Sequence, residues 1–303
     1  MPSTKHKAYI GLCLTSIIWG TTWVAMKYAI KGIPPFQLAA MRHIVSGSIF
    51  VLFFIIFKKE KLPTLAQFKK LLFLGTLTFV MANALSTWSL KYISSGLGAL
   101  IGALYPLSVV LIEYFFFNNK NINRITVIGI LLGVGGIVLV FYNNAFAAAS
   151  KNYFLGVGLA LIAMLSWSCA SILISKKYIK MNSYYSMGWQ MLISFVVCLG
   201  ISFCVENPVP LGNIPKQSIV GLVYLIIAGS LIAMMAFMYT MKHLNPTVAV
   251  MYAYINPIIA MITGTIMLKE HLSIVIIVGS LITLTGVYLV NYSFKKGIPA
   301  PVE

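Results

Sequence analysis

Glu113 is the one carboxylate of this chain that falls inside a long apolar run; Glu60, Glu206, Glu270 and Glu303 stand at the edges of such runs or beyond them, and there is no aspartate. A carboxylate surrounded by hydrocarbon is expensive when charged, which makes Glu113 a candidate for coupling proton movement to another process. At about 100° per residue it shares one side of its helix with Tyr105 and Val109. It also lies about one turn from the helix end, from where it can snorkel to water and carry nothing specific. Arg42 lies about seven residues into its own run, roughly 10 Å deep at about 1.5 Å per residue, and Glu113 is about 6 Å from the opposite side. In a hydrocarbon core of about 30 Å the two are separated by roughly 14 Å, so no direct salt bridge is expected. Arg42 then either attracts a carboxylate or phosphate of a solute or holds carbonyls near the interface.

Pro106 and Pro257 lie in mid-run, where proline removes an amide donor and frees the carbonyl four residues earlier, at Gly102 and Ala253. The spacing predicts a kink or a broken helix lining a cavity, or a bend healed by neighbouring helices. Trp19 and Trp23 stand one turn apart, as do Asn83 with Thr87, Trp167 with Ser171, and Tyr252 with Asn256. Such faces suit an apolar pocket with a few orienting hydrogen bonds, and with Tyr105 they supply the candidate substrate contacts: Trp19, Trp23, Asn83, Tyr105, Trp167, Tyr252 and Asn256. Aromatic residues make up 13% of the chain, so most of them serve packing or interfacial belts.

Other chemistry is poorly supplied. The four histidines are scattered and no paired acids fall within a run, so intramembrane hydrolysis has no machinery and no enzyme is expected. No phosphate-binding loop of the Gly-x-x-x-x-Gly-Lys-Ser/Thr type occurs, which excludes an ATP-driven pump. Cys13, Cys169, Cys198 and Cys204 all fall in apolar stretches without metal-ligand spacing and read as packing residues. No metal and no cofactor is expected.

The elements that must position these residues are membrane spans. The 303 residues are 60% hydrophobic and only 9% charged, far from the roughly one-quarter charged share of a soluble domain. A bilayer core of about 30 Å needs about 20 apolar residues in a helix, and ten segments fit, near 8–30, 35–57, 70–90, 95–117, 125–142, 154–175, 183–205, 218–241, 246–268 and 273–292. The first follows Lys5 and Lys7 but is too long for a signal peptide and lacks a small-residue cleavage site, so it reads as a retained helix. Turn residues punctuate the spans at Gly32-Ile33-Pro34-Pro35, Asn118-Asn119-Lys120-Asn121, Asn143-Asn144, Asn207-Pro208 and Asn245-Pro246. The net charge of +17 sits in short clusters between apolar runs, not on one face, so no nucleic-acid partner is expected. With the N-terminus inside, the inner loops and ends hold fifteen bases, including Lys58, Lys59, Lys61, Lys69 and Lys70, whereas the outer ones hold six: Lys27, Lys31, Lys91, Lys151, Lys216 and Lys269. Both termini are therefore expected in the cytoplasm of a multi-pass cell-membrane protein.

The chain repeats itself. Leu90-Lys91-Tyr92-Ile93-Ser94 matches Met241-Lys242-His243-Leu244-Asn245 at an offset of 151, which also carries Pro106 onto Pro257. An offset of 148 carries Trp19 onto Trp167 and Arg42 onto Gln190, and Gly129 and Gly136 meet Gly279 and Gly286 at 150. Each half has five helices, an odd number, so the second is inserted upside down. The fold class expected is an all-α integral membrane protein of about ten transmembrane helices in two inverted five-helix repeats, 1–149 and 150–303, with a substrate site near the midplane between them. Gly98-x-x-x-Gly102 and Gly129-x-x-x-Gly133 permit close helix approach and are weak signals of dimerisation, and the oligomeric state stays open.

These residues resemble the EamA-type transporters of the drug/metabolite transporter superfamily. The carriers are Ile18-Trp19-Gly20-Thr21-Thr22-Trp23, Arg42, Tyr105-Pro106, Asn256-Pro257, and Leu268-Lys269-Glu270-His271-Leu272 followed by Gly279 and Gly286. The resemblance covers nearly the whole chain and makes each half an EamA-like repeat. In one respect the chain departs from the pattern: the acid after the ninth span is Glu270, but its first-half counterpart is Asn119 or Lys120. The resemblance implies a secondary transporter exporting an amino acid or related small metabolite, and Glu113 makes protons the candidate coupling partner. A nucleotide-sugar or sugar-phosphate carrier is the alternative, although it should have more cationic groups in its cavity. A membrane scaffold or sensor without transport has no need for two inverted halves.

Overall fold

The computed structural model describes residues 4–117, 123–147, 152–244, 248 and 251–296. Ten helices follow one another: α1 (Thr4–Ala29), α2 (Pro35–Lys58), α3 (Leu65–Ser89), α4 (Ser95–Phe116), α5 (Arg124–Ala147), α6 (Tyr153–Ser175), α7 (Ser183–Val205), α8 (Lys216–His243), α9 (Tyr252–Leu268) and α10 (Ile274–Lys296). Nine of them are long and apolar enough to cross a membrane, and α9 has a regular helix of only 17 residues. Among the described residues there is no strand. The outside of the bundle is apolar, with Phe57, Phe115, Leu131, Phe154 and Ile266 all exposed, the inverse of a soluble protein. A helix satisfies its backbone groups within its own segment, as lipid demands, and this is an all-α membrane protein.

Several boundaries move. α3 starts at Leu65, not near 70, because Thr64 and Gln67 form a reciprocal capping box ahead of it. α5 continues through Asn143 and Asn144, where a turn was expected, and ends at Ala147. With no Gly or Pro there, and with Ala145 and Ala147 following, nothing forces the helix to stop. The regular part of α9 starts at Tyr252, not near 246, and Met251 N just before it donates to Val248 O at 3.1 Å. The Asn118–Asn121 turn, Lys151 and the Asn245-Pro246 turn lie outside the described residues. Cys13 and Cys204 are exposed on the apolar outside, and of the four free cysteines only Cys198 is fully buried.

The helices pair as an inverted repeat requires. α5 packs along α10 and α2 along α7, while α1 lies against α8 and α9 as α6 lies against α3 and α4. At the α5/α10 crossing, a Cβ on Gly129 would stand 2.7 Å from Gly286 O, and one on Gly136 would stand 2.6 Å from Gly279 O. Because Gly129 corresponds to Gly279 and Gly136 to Gly286, the contact is reciprocal, as at the self-complementary interface of a two-fold dimer. Gly129, Gly133 and Gly136 thus pack within the chain, Gly133 against Leu107.

At the end of the bundle away from the chain termini, two glutamates from the second half hold two helix starts of the first. Glu206 accepts from Phe36 N at 3.1 Å, Gln37 N at 3.3 Å and Ser202 Oγ at 3.0 Å. Glu270 accepts from Ser95 N at 2.8 Å and Ser95 Oγ at 2.7 Å, and pairs with Lys27 Nζ at 3.2 Å. A carboxylate placed there meets both the orphan amides and the positive end of the helix dipole. Gln37 adds a two-way clasp on Val209, donating to its carbonyl at 2.7 Å and accepting from its amide at 2.9 Å.

Candidate functional site

A cavity of about 180 Å³ lies between the halves. α1 contributes Trp19 and Trp23 to it, α2 Arg42, α3 Asn83 and α4 Tyr105, while α6 contributes Trp167 and α9 Tyr252 and Asn256. All seven residues expected to contact a solute therefore stand around one space. The lining also reaches Met26, Ser86 and Gly98, on the turns nearest the end away from the termini. On the terminal side stands an aromatic floor. Trp19 meets its repeat partner Trp167 edge-on at 6.4 Å, Phe237 at 5.0 Å and Tyr252 at 5.1 Å between ring centroids, and its Nε1 donates to Gly229 O at 3.2 Å. Trp23 forms a wall by sitting on α4: a Cβ on Gly98 would lie 2.9 Å from its ring and one on Gly102 3.4 Å. The Gly98-x-x-x-Gly102 stripe thus seats an indole, not a second chain.

The two prolines behave differently. α4 is interrupted between Gly102 and Tyr105, with Leu104 N donating to Ile101 O at 3.1 Å, and Pro106 opens the first turn of its second half. Just past the break, the Tyr105 carbonyl accepts from Ser108 Oγ at 2.8 Å and Ser168 Oγ at 3.4 Å, which ties the start of the second half of α4 to α6. Pro257 instead lies inside a continuous α9. One sequence difference stands at the break: at the shared offset of 151, Gly102 corresponds to Ala253, which lies within α9. Glycine costs a helix about 1 kcal/mol relative to alanine, which favours a break before Pro106 over one before Pro257. Asn256, with its amide nitrogen toward carbonyls, donates to Ser16 O at 2.9 Å and Tyr252 O at 3.1 Å, tying α9 to α1 beside the cavity.

Arg42 is 7% exposed. Its Nε donates to Ser230 Oγ at 2.5 Å and its Nη1 to Asn83 Oδ1 at 3.4 Å, so it bridges side-chain oxygens of α8 and α3 and not backbone carbonyls. It is the sole charged side chain in the lining among the described residues. Glu113 is half-buried in the last turns of α4 and is not among the residues that line the cavity.

Sequence reasoning missed the π-helical segments, Thr76–Ala84 in α3 and Leu225–Ile232 in α8, which occupy corresponding places in the two halves. They carry Thr78, Asn83 and Ser230 to the inside, and wide-turned segments of this kind recur at functional sites. Neither has a proline or a glycine pair to announce it.

The EamA-like transporter family model matches the chain twice, over residues 6–142 and 154–292. The chain is 24% identical to an uncharacterized transporter, YoaV, of Bacillus subtilis over 96% of this chain and 98% of that protein. It is 28% identical to an uncharacterized inner membrane transporter, YedA, of Escherichia coli over 85% and 81%, and 24% identical to the protein PecM of Dickeya dadantii over 90% and 89%. A solved crystal structure superimposes with a TM-score of 0.67 at 16% identity, covering 96% of this chain and 99% of that one.

Proposed function

The chain belongs to the EamA-like transporter family, and we propose that it is a secondary transporter carrying a small metabolite, an amino acid or related solute, out across the cytoplasmic membrane by alternating access. The observation that carries this reading is the cavity between the halves, with Trp19, Arg42 and Tyr105 from one and Trp167, Tyr252 and Asn256 from the other. Residues 1–149 and 150–303 are the two repeats that supply its walls, and the aromatic cluster around Trp19 and Trp167 is the gate on its terminal side. A nucleotide sugar or sugar phosphate fits less well, because one guanidinium in about 180 Å³ is little charge and little room for it. A scaffold has no use for an internal site of this kind.

Orientation rests on the bases. Reporter fusions at the C-terminus and in the Lys58–Lys70 loop are expected to read cytoplasm and one near Lys151 the outer side; opposite signals at the two termini overturn the topology.

Transport itself is tested with purified protein, first by a thermal-shift panel of metabolites and then by counterflow of the hits in proteoliposomes. A ligand that binds only the folded state raises the melting temperature, by about 2.7 kcal/mol of stabilisation at a hundredfold excess over Kd. The same assay separates solute binding from proton coupling through Glu113. Glu113→Gln is expected to abolish pH-gradient-driven flux while leaving binding and counterflow intact; unchanged gradient-driven flux rejects the coupling role.

A further inference from the structure

The repeat supplies an internal control for Arg42. Its counterpart at the offset of 148 is Gln190, also buried, which accepts from Thr78 Oγ1 at 3.0 Å and donates to Ser186 Oγ at 3.1 Å. Arg42 in α2 thus reaches a hydroxyl in the π segment of α8, and Gln190 in α7 reaches one in the π segment of α3. The bridging task is the same on both sides, and on one side a neutral amide performs it. A guanidinium adds a charge that is costly in a low dielectric, together with five donors, of which two are engaged by Ser230 and Asn83. Among the described residues no carboxylate lines the cavity, and the one salt bridge, Lys27 with Glu270, lies elsewhere. The cavity therefore holds a net positive charge, with the guanidinium at its edge and indole faces around it.

We propose that Arg42 is the anion subsite of the cavity and that the solute is a small organic monocarboxylate, its carboxylate on the guanidinium and its apolar body against Trp19, Trp23 and Trp167. The inference rests on the transport reading and narrows its substrate class. A carboxylate matches the planar fork of arginine and brings one negative charge to one positive charge. A phosphate monoester carries about −1.5 to −2 at neutral pH and leaves uncompensated negative charge among apolar walls. Amino acids fall within the class through their carboxylate, with the ammonium over an indole face.

The test uses the purified full-length protein and shape-matched probes: hippurate against its neutral amide, and hexanoate against hexanamide. Each acid is expected to raise the melting temperature and to bind at least about tenfold more tightly than its amide. Arg42→Gln, the substitution the second half already carries, is expected to erase that preference, whereas Arg42→Lys keeps part of it. Equal affinity of acid and amide for the wild type overturns the proposal, as does a preference that survives in folded Arg42→Gln protein. Should Arg42→Gln not fold, the wild-type ratio of acid to amide decides alone. Amides that bind and exchange across proteoliposomes while acids do neither remove the subsite and leave transport standing; acids that bind through Arg42 but never cross remove transport and leave the subsite.

Discussion

Gly286→Leu is expected to abolish recovery of folded protein. A Cβ at Gly286 would overlap Gly133 N and stand 2.5 Å from Gly129 O and 2.8 Å from Gly133 Cα. These are backbone atoms of a neighbouring helix and have no rotamer to change, so α10 must move bodily away from α5. Overpacking costs roughly 1–3 kcal/mol where side chains can give way, and separating two helices along their whole crossing forfeits more than that. Gly136 at the reciprocal position has Gly279 O and Thr283 N both at 2.6 Å, so the displaced helix finds no relief further along. Gly135, one residue away on α5, meets nothing within 4 Å and supplies the control. Gly135→Leu should give a monodisperse peak on fluorescence-detected gel filtration with a near wild-type melting temperature, and Gly286→Leu should give aggregate or nothing. A monodisperse Gly286→Leu with an unchanged melting temperature defeats the proposed crossing.

That crossing was legible because glycine has few other uses in an apolar helix, and because Gly129, Gly136, Gly279 and Gly286 keep one offset. The candidate lining was legible for a related reason: a tryptophan or asparagine one turn from another polar group needs a partner or a cavity, and the repeat says which pairs meet. Trp19 and Trp167 do so at 6.4 Å. What escaped depends on backbone geometry that side-chain pattern does not encode. The π segments of α3 and α8 change which face Thr78 and Ser230 present, and no residue type signals that change. The interruption of α4 could be placed near Pro106, but only the contrast of Gly102 with Ala253 tells a break from a continuous helix. Glu113 was singled out by its surroundings in sequence, yet helical periodicity gives only a direction about the axis. The cavity ends before reaching its level.

Trp19→Ala is expected to weaken solute binding by about 10- to 100-fold while leaving a folded transporter. The indole is at once part of the lining and the centre of the floor, so its loss removes apolar surface from the solute and frees Phe237 and Tyr252 from the ring that holds them. Burying a large apolar side chain contributes about 1.5–3 kcal/mol, and each 1.4 kcal/mol is about tenfold in Kd. The fold should survive because α1 is anchored elsewhere, by Gly11 against Thr240 and by Gly20 against Ile259. Trp19→Phe keeps the ring contacts but gives up the hydrogen bond to Gly229 O, a loss of about 1 kcal/mol, so its affinity should fall by no more than about tenfold. The control is Trp88→Ala. Trp88 stacks edge-on against Phe36 at 5.6 Å and does not line the cavity, so its removal should lower the melting temperature with solute affinity unchanged. Titration of one thermal-shift hit against all four proteins separates the two effects. Equal affinity losses in Trp19→Ala and Trp88→Ala mean that the loss reports destabilisation, and the floor around Trp19 is then not part of the binding site.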